Sequence, residues 1–378
     1  MPHLTLQSLS VSPLGVPLAV PFVIATGRVD VTPNALVQIE VVDADTAQVW
    51  HGLGEAATLP PVTDETLDDV LRALGRLAKA LPLDLGDVAD PDEALAALVQ
   101  RAWVPWLGPV ARMGLDMALH DVWGRRAGLP VFQVLDSTAH PVTLNSDITL
   151  AIGEPAAMGR LAAGWAERGF DTFKVKVGRD LDADVAALLA IQGAVPTAQL
   201  RIDANAGYSQ RQALALCAAV EQHGLNVECF EQPCGADDLD GLRAVKQATP
   251  FDVIADESCQ GFEDVRRLIA AEAVDGINLK LAKTGGLTHA LAAGRLARRH
   301  GLSLMVGSMV ETRLGVTAAA HLAVALGGVE FADLDTAWLL TQEPWTGGYL
   351  AQGAHYTVPM AAGLGLALQG DSQRATAG

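Results

Sequence analysis

FKVKVG (173–178), LRIDANAG (200–207), VECFEQP (227–233), VIADES (253–258), INLKLAK (277–283) and FADLD (331–335) repeat one pattern, a short β-prone run that ends on ionisable residues. Lys176, Asp203, Glu231, Asp256 and Lys280 follow one another at intervals of 24 to 28 residues, the spacing of a repeated strand and helix unit. Parallel barrel strands point their C-terminal ends at one mouth, so residues far apart in sequence meet there. Three carboxylates flanked by two lysines suggest a metal held between two bases.

Outward from this ladder the same rhythm starts near Pro141. It takes in VTLNSDITL ahead of the first rung and LSLMVGSM before the last, which makes eight strands. Helical patterns such as EPAAMGRLAAGWAERG and LTHALAAGRLARRHG lie between them, and no convincing helix follows the eighth. The expected fold class is α/β, a (β/α)7β modified TIM barrel with an N-terminal α+β capping domain. In the first 60 residues LTLQSLSV, ALVQIEVVD and AQVWHGLGEA read as strands, the last two as a hairpin around an Asp-Ala-Asp turn. Leu67, Val70, Leu71, Leu74 and Leu77 form a helical stripe, with Asp64 and Glu65 expected at its positive end. Two more helices run through DPDEALAALVQRAW and ARMGLDMALHDVWGRRAGLP, the latter stopped by Gly128 and Pro130. The domains expected are a capping domain of residues 1–130, to which an irregular segment 340–378 returns, and a barrel domain of residues 131–339.

The 378 residues suit one barrel plus a smaller domain, and 50% apolar content with positive mean hydropathy supplies a large core. A formal charge of −18 speaks against nucleic acid, which is bound through Lys and Arg clusters. Cys217, Cys229, Cys234 and Cys259 lack CxxC spacing and read as reduced thiols. The apolar N-terminus has no Lys or Arg before Arg28 and carries prolines at 13, 17 and 21, which argues against an export signal. No apolar run approaches the eighteen or so residues of a membrane span. A cytoplasmic protein is expected, without membrane or nucleic-acid partners and assembled as a homo-oligomer.

In FKVKVG, strand alternation puts Phe173, Val175 and Val177 on one face and Lys174 with Lys176 on the other. Lysines directed into a barrel are costly unless used, whereas an exposed edge strand would carry them outside. The DAN, NLK and DLD patterns, each with a polar pair at i and i+2, favour the inward reading. Asp203, Glu231 and Asp256 end three consecutive strands; each alone could be a helix cap, but together they would repel unless a cation joined them. All-oxygen ligation favours Mg²⁺, with Mn²⁺ as a substitute, over zinc. Asn205 and Glu257 are auxiliary candidates, and Lys283 reads as a structural cap. Lys176 and Lys280 would approach a ligand from opposite sides. Such a set suits abstraction of a proton α to a carboxylate, where the metal offsets the charge that develops and a second base allows inversion.

These residues resemble the enolase superfamily, specifically its muconate-lactonizing-enzyme-like subgroup. The use of a Lys or His base with Mg²⁺ at enolase-type sites is itself a general statement of how such sites are tuned. The resemblance spans nearly the whole chain: GLGEA (52–56) and GLDMALHDVWGRRAGLPV (114–131), then KVK, DAN, EQP, DES, NLKLAKTGG and VGSM. It implies Lys176 and Lys280 as the bases and Asp203, Glu231 and Asp256 as Mg²⁺ ligands. LMVGSMVET lacks the histidine of mandelate-racemase-like members. FADLDT looks like the Asp-x-Asp of dipeptide epimerases, so Asp333 and Asp335 would hold a dipeptide's ammonium group, with Thr149, Lys174 and Ser308 lining the pocket. The function this implies is Mg²⁺-dependent 1,1-proton transfer at the α-carbon of a dipeptide's C-terminal residue through an enediolate. N-acylamino acid racemase, o-succinylbenzoate synthase and muconate cycloisomerase are the enzymatic alternatives, and a non-catalytic metal- and ligand-binding relative is another. PFVIATGRV resembles a loop that supplies an Arg for a Glu side chain in Ala-Glu epimerases. Thr26 stands at that place, with Arg28 close by, which puts the side-chain preference in question.

Overall fold

The computed structural model describes residues 3–24, 27–60, 62–101 and 107–369. At the N-terminus β1 (His3–Leu14), β2 (Pro17–Ile24), β3 (Gly27–Val31), β4 (Asn34–Asp43) and β5 (Val49–Ala57) precede α1 (Leu67–Ala78), β6 (Leu83–Asp87), α2 (Pro91–Arg101), α3 (Pro109–Ala127) and α4 (Val131–Leu135). Four of these strands form a sheet in the order β5-β4-β1-β6, while β2 and β3 pair with each other. In β4 alternate residues Ala35, Val37, Ile39 and Val41 are buried, the period-2 face of a half-covered sheet. Helix α3 lies against β5, where a Cβ on Gly52 would sit 2.1 Å from the Ala118 carbonyl oxygen and one on Gly54 1.9 Å from that of Gly114. The two glycines of GLGEA therefore set how closely helix and sheet pack.

Helix α1 starts with a capping box between Thr66 and Asp69 and buries Val70, Leu74 and Leu77. Glu65, expected at the positive end of α1, instead accepts from the Val110 amide at 2.6 Å and the Ala111 amide at 3.3 Å. It satisfies the free N–H groups that open α3, whose Gly108 cap has no side chain to do so.

The barrel follows as β7 (Thr143–Asn145), β8 (Ile148–Leu150), α5 (Pro155–Ala166), β9 (Thr172–Lys176), α6 (Leu181–Ala194), β10 (Gln199–Asp203), α7 (Gln210–His223), β11 (Val227–Glu231), α8 (Leu239–Ala248), β12 (Asp252–Ala255), α9 (Phe262–Ala271), β13 (Gly276–Lys280), α10 (Leu281–Thr284), α11 (Leu287–Arg299), β14 (Ser303–Gly307), α12 (Arg313–Leu326) and β15 (Phe331–Asp333). Eight strands, β8 through β15, pair in chain order, every neighbour parallel. Between β15 and β8 the barrel is joined by a single Ser146–Ala332 bridge and by the Asp147 amide, which donates to the Ala332 carbonyl at 3.1 Å.

VTLNSDITL, expected as one strand, is broken at Ser146 and Asp147. Its first half, β7, turns away to pair antiparallel with β18 (His355–Thr357), next to β17 (Leu350–Gln352). The rest of the C-terminal segment forms β16 (Trp345–Gly347) and β19 (Leu366–Leu368). It touches the N-terminal half as well: Arg125 Nη2 donates to the Leu366 carbonyl at 2.9 Å, and the Leu364 amide to Asp121 Oδ1 at 2.8 Å. Among the described residues no helix is long and apolar enough to cross a membrane.

Candidate active site

One cleft at the C-terminal ends of the barrel strands is lined by Lys174, Lys176, Lys280, Asp333 and Asp335, with Thr149, Asn205 and Ser308 around them. All five residues of β9 are buried, so Lys174 and Lys176 point into the barrel while Phe173 and Val175 occupy its other face. The exposed-edge alternative for these lysines is thereby excluded. A buried ammonium is tolerable only against carboxylates, and each one here has them.

Asp203 ends β10, and its Oδ1 accepts from the Asn205 amide at 2.9 Å in a tight turn that places Asn205 at φ +43°. Its Oδ2 takes Lys176 Nζ at 2.6 Å and Lys174 Nζ at 3.1 Å. Glu231, the Cα partner of Asp203 on the neighbouring strand, accepts from Asn278 Nδ2 at 2.9 Å. Its Oε2 lies 2.7 Å from Lys174 Nζ but lacks a well-directed hydrogen bond. Asp256 follows β12 and meets Lys280 Nζ at 2.8 Å. The DAN repeat therefore differs from NLK: Asn278 and Lys280 share a strand face, whereas Asn205 reaches the cleft through a turn.

Two residues do more than their sequence context suggests. Lys283, read as a cap, is buried and binds Asp256 Oδ1, the Asp256 carbonyl at 2.7 Å and the Asn278 carbonyl at 2.9 Å. Gln232 accepts from the Asp256 and Ser258 amides at 2.9 and 3.0 Å and donates to the Cys234 carbonyl, which locks the turn carrying Asp256. A lysine three residues beyond a strand and a glutamine between Glu and Pro carry no local sign of these roles.

The electrostatics follow from this packing. Burial pulls the Lys280 ammonium down, but Asp256 and Glu231 outweigh it and hold it above its ordinary range. Burial and the neighbouring Asp203 push Glu231 up to about 7. Partly exposed Glu257, joined to Asn205 Nδ2 at 3.2 Å, is pushed up to about 8 by burial and by Asp256. Asp203, Glu231 and Asp256 are spaced by the ammonium groups between them, whereas Asp147, Asp333 and Asp335 have carboxylate oxygens within 4.8 Å of one another. The first trio fits a divalent cation: three oxygen donors stand at the ends of adjacent strands, Glu231 Oε2 is without a directed partner, and burial with the neighbouring Asp203 pushes Glu231 toward protonation while the lysines hold Asp203 and Asp256 ionised.

At the other side of the mouth, Asp333 Oδ2 takes Lys174 Nζ at 2.6 Å. Asp335 Oδ2 takes the Thr149 amide at 2.5 Å, while its Oδ1 is buried without a hydrogen-bond partner. The Ser308 amide donates to the Asp333 carbonyl at 3.1 Å.

The remaining wall is apolar, from Leu59 and Val62 on the N-terminal half and Met309 and Val310 after β14. One carboxylate ties these two walls together. Fully buried Glu55 accepts from the Thr312 amide at 2.9 Å, Thr312 Oγ1 at 2.6 Å, the Gly315 amide at 2.9 Å and Asn34 Nδ2 at 2.6 Å. Asn34 Nδ2 also donates to the Val310 carbonyl at 2.9 Å. Next to Glu55, buried Glu311 accepts from the Met309 amide at 2.8 Å; burial and Glu55 push its carboxyl up to about 8. Arg28 lies exposed and pairs with Asp30 at 2.8 Å. Thr26 lies outside the described residues.

Residues 157–372 match the family described as enolase C-terminal domain-like, and residues 7–136 match the mandelate racemase / muconate lactonizing enzyme N-terminal domain. The chain is 35% identical to an aromatic dipeptide epimerase from Herpetosiphon aurantiacus, over 96% of this chain and 99% of that one. It is 33% identical to an L-Ala-D/L-Glu epimerase from Bacillus subtilis, over 94% of each. A crystal structure of a dipeptide epimerase from Cytophaga hutchinsonii, complexed with Mg and D-Ala-L-Val, superposes with a TM-score of 0.88 at 30% identity, over 99% of this chain and 98% of that one.

Proposed function

The chain belongs to the mandelate racemase / muconate lactonizing enzyme family of the enolase superfamily, and from that membership we propose that it is a Mg²⁺-dependent dipeptide epimerase. The observation that carries this reading is the meeting, in one cleft, of Lys176 and Lys280 with the buried pair Asp333 and Asp335. Lys176 and Lys280 are the two bases. One takes the α-proton of the C-terminal residue and the other returns a proton to the opposite face, so the centre inverts. Asp203, Glu231 and Asp256 would hold Mg²⁺, or Mn²⁺ in its place. When bound, the cation supplies positive charge for the substrate carboxylate and for these three carboxylates, which now lean on the lysines.

Asp333 and Asp335 fix the dipeptide's ammonium group, a monocation suited to a carboxylate pair. Thr149 orients Asp335 through its backbone amide, Lys174 anchors Asp333, and Ser308 borders the same end. Asn205 and Glu257 support the Asp203 side of the mouth. Leu59, Val62, Met309 and Val310 favour a substrate with an apolar side chain, and Arg28 is engaged by Asp30. Four buried, unpaired cysteines accord with a cytoplasmic location. Exposed Leu350 and Met360 offer apolar contacts for a homo-oligomer.

Solvent deuterium incorporation, read by mass spectrometry across a dipeptide library with Mg²⁺, tests the reading. Exchange at the C-terminal α-carbon, strongest for apolar dipeptides, is expected. Turnover of an N-succinyl amino acid with no exchange on any dipeptide would overturn it.

A further inference from the structure

The seam between β8 and β15 holds a third carboxylate that the mechanism above leaves unused. Asp147 is fully buried and places an oxygen within 4.8 Å of oxygens of Asp333 and Asp335. Crowding a third negative charge onto two others inside a protein is costly, and a seam could be closed with neutral groups. Its counter-charge is Arg201, which reaches across the interior from β10. Arg201 Nη1 donates to Asp147 Oδ2 at 2.9 Å and to the Ala332 carbonyl at 2.8 Å, and Nε donates to Glu228 Oε2 at 2.9 Å. Oδ1 of Asp147 and Oδ1 of Asp335 are both buried without hydrogen-bond partners.

The charges at this end can be followed one by one. Arg201 answers Asp147 and Lys174 answers Asp333, so among the described residues Asp335 is left without an ion pair and is held by Thr149. Take Asp147 away and the Arg201 guanidinium keeps Glu228 and the Ala332 carbonyl but loses the carboxylate that holds its Nη1, and its charge is then free to act on Asp333 and Asp335, whose oxygens lie within 4.8 Å of that carboxylate. We propose that Asp147 is a positioning residue for the substrate's ammonium group: by binding Arg201 it keeps the guanidinium off Asp335 and leaves one buried negative charge for a single cationic group of the ligand. The proposal rests on the dipeptide reading above and extends it to a residue that touches no reacting atom.

The test compares kcat/KM for an alanyl dipeptide with kcat/KM for the N-propionyl derivative of the same amino acid, which is that dipeptide without its amino group. Wild type, Asp147→Asn and Glu228→Gln are assayed with Mg²⁺. Wild type should prefer the amino compound by roughly a hundredfold or more, because a site built for an ammonium group is left unpaired without it. Asp147→Asn should lower that ratio at least about tenfold, mainly through KM. Glu228→Gln acts at the partly exposed far end of Arg201, so the ratio should move the same way by less, and this variant also serves if Asp147→Asn does not fold. Folded variants that keep the wild-type ratio overturn the proposal, and a lower Tm without a change in ratio assigns Asp147 to the fold alone. A wild type that turns over both compounds equally overturns the ammonium site itself, and one inactive on both overturns the dipeptide reading.

Discussion

The two sides of the barrel mouth balance their carboxylates differently. On β9 to β13 each carboxylate of the ladder is met by a lysine: Asp203 by Lys176, Asp256 by Lys280 and Lys283, Glu231 by Lys174. At β15 and β8, Asp335 has no ion-pair partner among the described residues and is held by Thr149. The first side pairs its carboxylates with lysines and carries groups that could act on any α-proton beside a carboxylate. The second side is left incomplete, and only a ligand that brings its own positive charge completes it. Reaction and choice of substrate thus draw on different strands of one sheet, joined by Lys174, which meets Glu231 on one side and Asp333 on the other.

Breaking the first side should cost the most. Lys176→Ala and Lys280→Ala are each expected to abolish epimerisation, a loss of at least about a thousandfold in kcat, checked by chiral chromatography of the product. Full activity in either would remove that lysine from the base role. Breaking the second side should cost less and act selectively. Asp335→Asn should reduce kcat/KM for dipeptides by about 2 to 5 kcal/mol in transition-state binding, roughly thirtyfold to a few thousandfold, with little effect on N-acylated amino acids. Equal losses on both substrate types would erase the contrast between the two sides.

The smallest expected effect concerns Glu311, another buried carboxyl without an ion pair among the described residues. Its folded value of about 8 lies above the ordinary 4.5, so the folded chain holds a proton that the unfolded chain releases between those values. The stability it contributes is full below about pH 4.5 and is lost as pH rises through 8. Glu311→Gln should flatten that decline, by at most about 1.4 kcal/mol per pH unit, in denaturant titrations at pH 5 and 8 under saturating Mg²⁺. Parallel curves for variant and wild type would show that Glu311 stays ionised.

How far the sequence could be read follows the range of the signals. Lys174, Lys176, Asp203, Glu231, Asp256 and Lys280 were legible because strand alternation and a steady repeat act locally and add up along the chain. The antiparallel N-terminal sheet was legible for the same reason, but β6 and the hairpin of β2 and β3 were not: Pro17 and Pro21 interrupt β2, and β3 and β6 run only five residues each. The break at Ser146 and Asp147 was hidden because its cause lies over 200 residues away, in the pairing of β7 with β18. Arg201 likewise looks like any strand residue until β8 and β15 are placed opposite it. Glu65 missed its assigned helix by the same logic: which N-terminus a carboxylate caps depends on which one packs nearest. Residues that belong to a repeated local pattern could be read even where they meet far apart in sequence, as Lys174 meets Asp333, and those outside any pattern could not.

Glu55 has a consequence for how such proteins can be recombined. Its carboxylate, carried by the N-terminal sheet, is the shared acceptor for two amides and a hydroxyl at the start of α12. The sheet is therefore not an interchangeable lid. A chimera that joins this barrel to a foreign N-terminal half lacking a carboxylate at that place would leave those donors dry, at about 1 to 3 kcal/mol each. The two halves must be inherited as a pair.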